Sequence, residues 1–324
     1  LVIIMEKIYN YINGELVPPK TGDYINNISP STGEVYSLIP NSDKDDIDVA
    51  VESAQNAFQS WRETPKQTRS DILIQLANEI EAQGEELVKA ESKDNGKPEW
   101  LARAVDIPRA HANLKFFATA ILHFDSELHE MDGSAINYTL RQPIGVAGCI
   151  SPWNLPLYLL TWKVAPALAA GNTVIAKLSE LTPMTAYLFS KICKKVGLPK
   201  GILNIVHGYG DKAGDALCRH PNVPIISFTG GTCTGEKISS ATAPLFKKLS
   251  LEMGGKNPNI VFSDAEFNNA VDMAVKASFS NQGQICLCGS RLFIQKNIYD
   301  KFKSALIEKT QKLVVGDPQN KSSN

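Results

Sequence analysis

The sequence predicts an α/β fold, a doubly wound parallel sheet joined to a second, shorter α/β unit. Three observations carry the prediction. From Gly145 onward, short apolar runs of strand length alternate with stretches of helical spacing, the pattern of a sheet covered on both faces. Two glycine-rich turns, GYGDKAG (208–214) and FTGGTCTG (228–235), each follow a strand and open a helix. With 324 residues, 43% of them hydrophobic, the chain has material for about two cores.

Residues 9–40 read as short strands and turns, with Asn13-Gly14 inside YINGE marking a hairpin. Ser42 or Asp43 caps a helix running to Trp61, with Val49, Ala50, Ala54, Ala57 and Phe58 on one face. A second helix starts at Pro65 and carries Ile72, Leu73, Leu76, Ile80 and Leu87 at helical spacing. A third, from Pro98 to Leu122, presents Arg109 and His111. Residues 127–142 form a surface strand pair. Strands follow at 144–150, 172–177, 202–206 and 223–228, separated by helices at 155–170, 183–196 and 213–219, with another from Thr232. LFKKLSLEM (245–253) and NPNIVF (257–262) close the strand series. A helical run from Val271 leads into FSNQGQICLCGSR (279–291), and a strand from Arg291 to Gln295 leads out.

Composition excludes several classes of function. The net charge is −1, and the aromatic residues are not interleaved with basic runs, so neither a nucleic-acid footprint nor a base-stacking platform is expected. No apolar run approaches the roughly 20 residues of a membrane helix. Leu1 to Ile4 is too short for a signal segment, and Met5 reads as a natural start. Six cysteines without framework spacing or CxxC indicate free thiols in a reducing, cytoplasmic compartment. No HExxH or clustered His/Cys spacing points to a metal, and His111, His207 and His220 read as surface or satisfied interior residues.

Chemistry concentrates at 279–291. Cys286 sits in a glycine-containing bend whose backbone amides are free to face a ligand, a setting for a nucleophilic thiol. The competing reading makes Cys286 and Cys288 two small buried hydrophobes. Asn154, in Ser151-Pro152-Trp153-Asn154, stands at a helix entrance, either to donate to a developing oxyanion or to cap the helix. Lys177 ends a strand with Glu180 three residues on, where such sheets read a ribose, or the two form a solvated charge pair. Glu252 leaves an apolar strand before Gly254-Gly255, as a general base or as an edge residue paired to Lys248 or Lys256. The glycine turns let amides approach a pyrophosphate. Neither matches GxGxxG or a P-loop.

Together these strings resemble the aldehyde dehydrogenase superfamily. PWN (152–154), Lys177-x-x-Glu180, FTGGTxxG (228–235), LEMGGK (251–256) and FSNQGQIC (279–286) occur in the family's order, and the likeness runs from about Tyr9 onward. DIPRA (106–110), SPWNLPLYLLTWK (151–163) and GQICLCGSR (283–291) are most similar to the 2-aminomuconic semialdehyde dehydrogenases of tryptophan catabolism. The resemblance implies a Rossmann-like unit at 1–121 and 144–253 that binds NAD, and an oligomerisation segment at 122–143. The start of a catalytic cysteine domain would lie at 254–324.

It also implies roles. Cys286 attacks the aldehyde, while Asn154 and the Cys286 backbone N–H hold the oxyanion, and Glu252 activates water to release the acid. Ser151, Pro152, Trp153, Lys177, Glu180, Gly210, Gly214, Phe228, Gly230, Gly231 and Gly254 line the NAD site. Gly231 stands where relatives often have Ser, and Glu180 favours NAD over NADP. Arg109, on the helix that lines the substrate tunnel, would pair with a carboxylate of an acidic semialdehyde, or be an ordinary surface arginine. Family chains run about a third longer, and the remainder includes a glutamate that grips the nicotinamide ribose and an assembly strand. These 324 residues alone are therefore expected to expose apolar surface and turn over little. A homo-oligomer, dimer or tetramer, is expected of the full-length protein. Two rivals remain: a coenzyme A-acylating dehydrogenase, against which Glu252 argues, and a crystallin-like binding protein, against which Cys286, Asn154 and Glu252 argue together.

Overall fold

The computed structural model describes residues 5–324; the reading of Leu1–Ile4 lies outside the described residues. Strands β1 (Glu6–Lys7), β2 (Asn10–Ile12), β3 (Glu15–Val17), β4 (Tyr24–Ile28) and β5 (Val35–Pro40) open the chain. Asn13 and Gly14 both have positive φ, as the tight β2–β3 turn demands. A small sheet runs β1-β5-β4.

Helix α1 (Lys44–Glu63) begins with a capping box in which Asp43 is the cap, not Ser42, and Asp46 answers it. Its apolar stripe, Ile47, Ala50, Val51, Ala54 and Trp61, is fully buried. The expected second helix is two, α2 (Lys66–Ala82) and α3 (Gly84–Asn95), so Leu87 belongs to α3. The break falls at Gln83-Gly84, where glycine weakens helix continuity. The expected third helix is interrupted as well. A short α4 (Glu99–Leu101) passes into a π-helical turn over Ala102–Asp106 before α5 (Ile107–Ala120). Pro108 in the first turn of α5 lacks an N–H, and its ring crowds the preceding turn, so the ladder widens and Ile107 N–H reaches back to Ala102 O.

An antiparallel hairpin follows, β6 (Leu128–Met131) with β7 (Ala135–Tyr138). All eight of its strand residues are exposed, Leu128, Met131, Ile136 and Tyr138 among them. The main sheet then assembles from β8 (Val146–Ser151), β9 (Thr173–Leu178), β10 (Leu203–Ile205), β11 (Ile225–Gly230) and β12 (Lys248–Met253). Its helices are α6 (Pro156–Ala169), α7 (Met184–Val196), α8 (Asp215–Arg219) and α9 (Thr232–Thr242). Strand order is β12-β11-β8-β9-β10-β2-β3, with β8 to β12 parallel and the β2–β3 hairpin added antiparallel at the far edge. The sheet is therefore mixed rather than wholly parallel. The turn before α8 is a π turn over Gly210–Gly214, which shortens the helix expected at 213–219.

Alternation within the strands divides two cores. Val174, Ala176 and Leu178 of β9 face the layer built from α2, α3, α5, α6 and α7. Ile175 faces the layer of α1, α8 and α9, as the two-residue period of a strand requires. Order reverses at β8, which has β9 on one side and β11 on the other. The carboxyl ends of β8 and β11 thus flank the switch point where such sheets take ligands.

Strand β13 (Pro258–Val261) does not continue the main series. It pairs in parallel with β14 (Arg291–Ile294), the chain having turned away at Gly254-Gly255. With α10 (Phe267–Phe279) and α11 (Tyr299–Thr310) it surrounds a small core of Val261, Val271, Ala274 and Phe302. Leu249, Met253, Ile260, Phe262 and Phe293 remain exposed along β12 to β14. Among the described residues, no helix is long and apolar enough to cross a membrane.

Candidate active site

Cysteine exposure narrows the nucleophile. All six thiols are free, Cys149, Cys193, Cys218 and Cys288 are buried, and Cys233 and Cys286 are exposed. Burial pushes Cys149 up to about 12 and Cys218 up to about 11, and raises Cys193 also. Those three remain neutral thiols, poor nucleophiles. Cys288 is the small buried hydrophobe of the competing reading; Cys286 is not.

The loop that presents Cys286 is backbone-strained. After α10 the chain makes a tight turn in which Asn281, Gln282 and Gly283 have φ of 50°, 60° and 73°. A left-handed residue other than glycine is costly and persists where surroundings hold it. The hold is visible. The Asn154 side-chain amide donates to Gln284 O at 2.7 Å. Asn281 Nδ2 donates to Asn154 O at 3.1 Å. Asn257 Nδ2 donates to Cys286 O at 2.5 Å and to Cys288 O at 3.2 Å.

Asn154 therefore does not cap α6. The cap is Leu155, and it makes no side-chain hydrogen bond. Because its partner is a carbonyl, the Asn154 Nδ2 is fixed as the donor. Asn154 Oδ1, Asn281 Oδ1 and Gln284 Oε1 are buried without partners, leaving acceptors beside the thiol loop. Asn281 and Asn257 are functional candidates that sequence reading missed. Asn281 stands inside the cysteine motif, whereas Asn257 lies 29 residues before Cys286 and carries no local signal.

Glu252 lies at the exposed end of β12, in register with Thr229. Among the described residues it forms no ion pair, so the expected alternative with Lys248 or Lys256 is not formed. Its charge bears instead on Lys163, a buried lysine whose Nζ contacts Ser227 Oγ at 3.2 Å. Burial lowers the Lys163 pKa, and the neighbouring Cys149 and Glu252 partly offset that.

Along the strand ends, Ser151 is buried with an unpartnered Oγ, and Trp153 is partly exposed. Lys177 is 3% exposed and holds Glu180 Oε2 at 3.0 Å. The charge pair of the alternative reading is formed, with its lysine end buried and its glutamate end partly exposed. Side chains added at Gly210, Gly214, Gly231 or Gly254 would meet open space, whereas one at Gly230 would strike the buried Phe228 ring. Gly231 caps α9 without a side-chain bond, leaving the first amides of that helix available. Arg109 is exposed on α5 and, among the described residues, has no ion pair. Gln282 and Gln284 border a cleft of about 940 Å³ shared with Asn95 and Gly96, and Cys286 is not on its lining.

These strings now stand in one fold, with the PWN turn bonded to the cysteine loop. A family model described as the aldehyde dehydrogenase family matches residues 16–324. The chain belongs to the aldehyde dehydrogenase family. It is 53% identical to human (Homo sapiens) 2-aminomuconic semialdehyde dehydrogenase over 96% of this chain and 64% of that relative. It is 42% identical to 2-hydroxymuconic semialdehyde dehydrogenase of Pseudomonas sp. (strain CF600), over 99% of this chain and 67% of that one. A crystal structure of PnpE in complex with nicotinamide adenine dinucleotide superposes with a TM-score of 0.95 at 40% identity, covering 98% of this chain and 65% of that chain. This aldehyde dehydrogenase chain thus spans just under two thirds of the length of the first relatives it matches.

His207 corrects an expectation. It is buried, its Nε2 has no partner, and burial with the Lys177 charge beside it depresses its pKa to about 3. A histidine lowered on folding stabilises the protein above its ordinary 6.5, and that stability is lost as pH falls from there toward the folded value. Urea unfolding of His207→Gln should therefore depend less on pH between about 6.5 and 4 than the parent does, by at most about 1.4 kcal/mol per pH unit. Identical slopes would reject the buried neutral imidazole.

Proposed function

We propose that the protein oxidises an aldehyde to a carboxylic acid with NAD, through a thioester on Cys286. The single observation that carries this is the bond from the Asn154 amide to Gln284 O, two residues before an exposed cysteine. The Cys286 thiolate adds to the aldehyde carbon. The Asn154 amide and the Cys286 backbone N–H are the donors for the alkoxide that forms, and such donors act where charge develops. NAD, when bound, accepts the hydride released from that carbon, which leaves a thioester on Cys286. Glu252 takes a proton from water, the hydroxide adds to the thioester carbon, the C–S bond breaks to return Cys286 as thiolate, and the acid departs.

The residues fit NAD. The buried unpartnered Ser151 Oγ, the open space at Gly210, Gly214, Gly231 and Gly254, and the uncapped α9 amides suit a pyrophosphate. Lys177 and Glu180 would hold the adenosine ribose, with Pro152, Trp153, Phe228 and Gly230 along the cleft. We assign 1–121 and 144–253 to the cofactor unit and 254–324 to the unit carrying the nucleophile. Residues 122–143 form the assembly segment, whose apolar exposed hairpin supports a homo-oligomer; light scattering showing only monomer would reject that assembly.

The names of the relatives, muconic semialdehyde dehydrogenases, support an acidic semialdehyde substrate such as 2-aminomuconic semialdehyde. The test is NAD reduction at 340 nm by the full-length gene product, across neutral aldehydes and acidic semialdehydes, with and without coenzyme A. Turnover that requires coenzyme A would overturn hydrolysis. Arg109, unpaired and exposed, is proposed as the carboxylate partner. Arg109→Ala should lower kcat/KM about 10-fold or more for an acidic semialdehyde and little for a neutral aldehyde. Equal losses would remove Arg109 from the site.

A further inference from the structure

We propose that Lys97 is a positioning residue for Asn154, gripping its backbone carbonyl from a buried charged cluster so that the side-chain amide stays aimed at the Cys286 loop. This inference rests on the function proposed above.

The cluster is built by two backbone irregularities. Gly96 ends α3 at φ +78°, turning the chain so that Lys97 enters the interior, where its side chain is 0% exposed. The π turn before Pro108 brings Asp106 to it, Nζ to Oδ1 2.8 Å. Glu91 lies 3.6 Å away, also fully buried. The third contact of the ammonium is Asn154 O at 3.1 Å. The same carbonyl accepts from Asn281 Nδ2 at 3.1 Å, while Asn95 Nδ2 bonds the preceding Trp153 O at 2.9 Å.

Charge balance favours a positioning role over a stabilising one. A buried ion pair stabilises a fold little compared with apolar residues of the same size. Here two carboxylates face one ammonium. Burial raises both Glu91 and Asp106, and the Lys97 charge between them offsets part of that rise, so the cluster resists carrying two full negative charges. Lys97 Nζ bonds Asp106 Oδ1 at 2.8 Å and commits a further donor to Asn154 O at 3.1 Å. Fixing this carbonyl fixes the peptide that starts α6, and with it the origin of the Asn154 side chain.

The test uses the full-length gene product with NAD. Lys97→Met preserves length and removes the donor. We expect kcat for aldehyde oxidation to fall about 10-fold or more, since small misplacements of a catalytic group are costly, with the KM for NAD changed less than about twofold. If Lys97 acts through Asn154, the double variant Lys97→Met/Asn154→Ala is no slower than Asn154→Ala alone. Losses that multiply would overturn the proposal. Should Lys97→Met fail to fold, Asp106→Asn enters the same cycle with the same criterion. A crystal structure of whichever variant folds is read independently of turnover. The Asn154 Nδ2 to Gln284 O distance, 2.7 Å in the parent, should lengthen past hydrogen-bonding range, and an unchanged distance would overturn the proposal. If the parent reduces no NAD with any aldehyde offered, the functional reading fails and the structural comparison alone decides the role of Lys97.

Discussion

Cys286→Ala should lower NAD reduction by the full-length gene product at least about 10³-fold, because no other group on the loop can carry the acyl intermediate. Folding should be unaffected. The thiol is exposed, so its removal opens no cavity, and the melting temperature should stay within about 1 °C. Iodoacetamide should inactivate the parent in step with alkylation of Cys286, against which saturating aldehyde protects, and not with alkylation of Cys233, the other exposed thiol. Residual turnover above a hundredth of the parent would place the nucleophile elsewhere. Cys233 would then be the first place to look, as the other exposed thiol.

Asn154→Ala is expected to cost about 10²- to 10³-fold in kcat, the effect of removing one preorganised oxyanion donor. The KM for NAD should hardly move. Asn154 differs from Cys286 in also bracing the loop through Gln284 O, so the variant should lose some thermal stability as well. Asn154→Asp separates the two contributions. It keeps the shape but turns a donor into an acceptor facing a carbonyl, and should be at least as slow as alanine. An aspartate variant with near-parental kcat would show that the amide does not serve the oxyanion.

Much of this was legible in the chain because its signals are local. The alternation after residue 144 gave the five parallel strands, and Asn13-Gly14 gave the β2–β3 turn. That this hairpin docks beside β10, through Ile205 opposite Tyr11, is a pairing across nearly 200 residues that no window of periodicity contains. Leu87 kept helical spacing through a break at Gly84, since hydrophobic phase survives a short interruption. Pro108 was visible, but whether a proline kinks, ends or widens a helix depends on what the neighbouring turn can bond.

At the site, the motif strings located Cys286, Asn154 and Glu252. Their supports were not legible. Lys97 and Asp106 look like ordinary surface charges in sequence, and only the packed structure makes their burial and their pairing evident. Asn281 lay in plain view beside the cysteine and Asn257 29 residues before it, yet an asparagine's partner cannot be read from its neighbours.

The run of left-handed residues at 281–283 has a consequence for how the two halves of the molecule depend on each other. Left alone, a peptide spanning these positions would relax to commoner dihedrals and carry its sulfur off target. Its shape is borrowed from the PWN turn, 130 residues earlier in the chain. Damage around β8, however remote in sequence, should therefore silence the thiol before it unfolds anything, and a nick that leaves every reacting group in place could be as disabling as removing one.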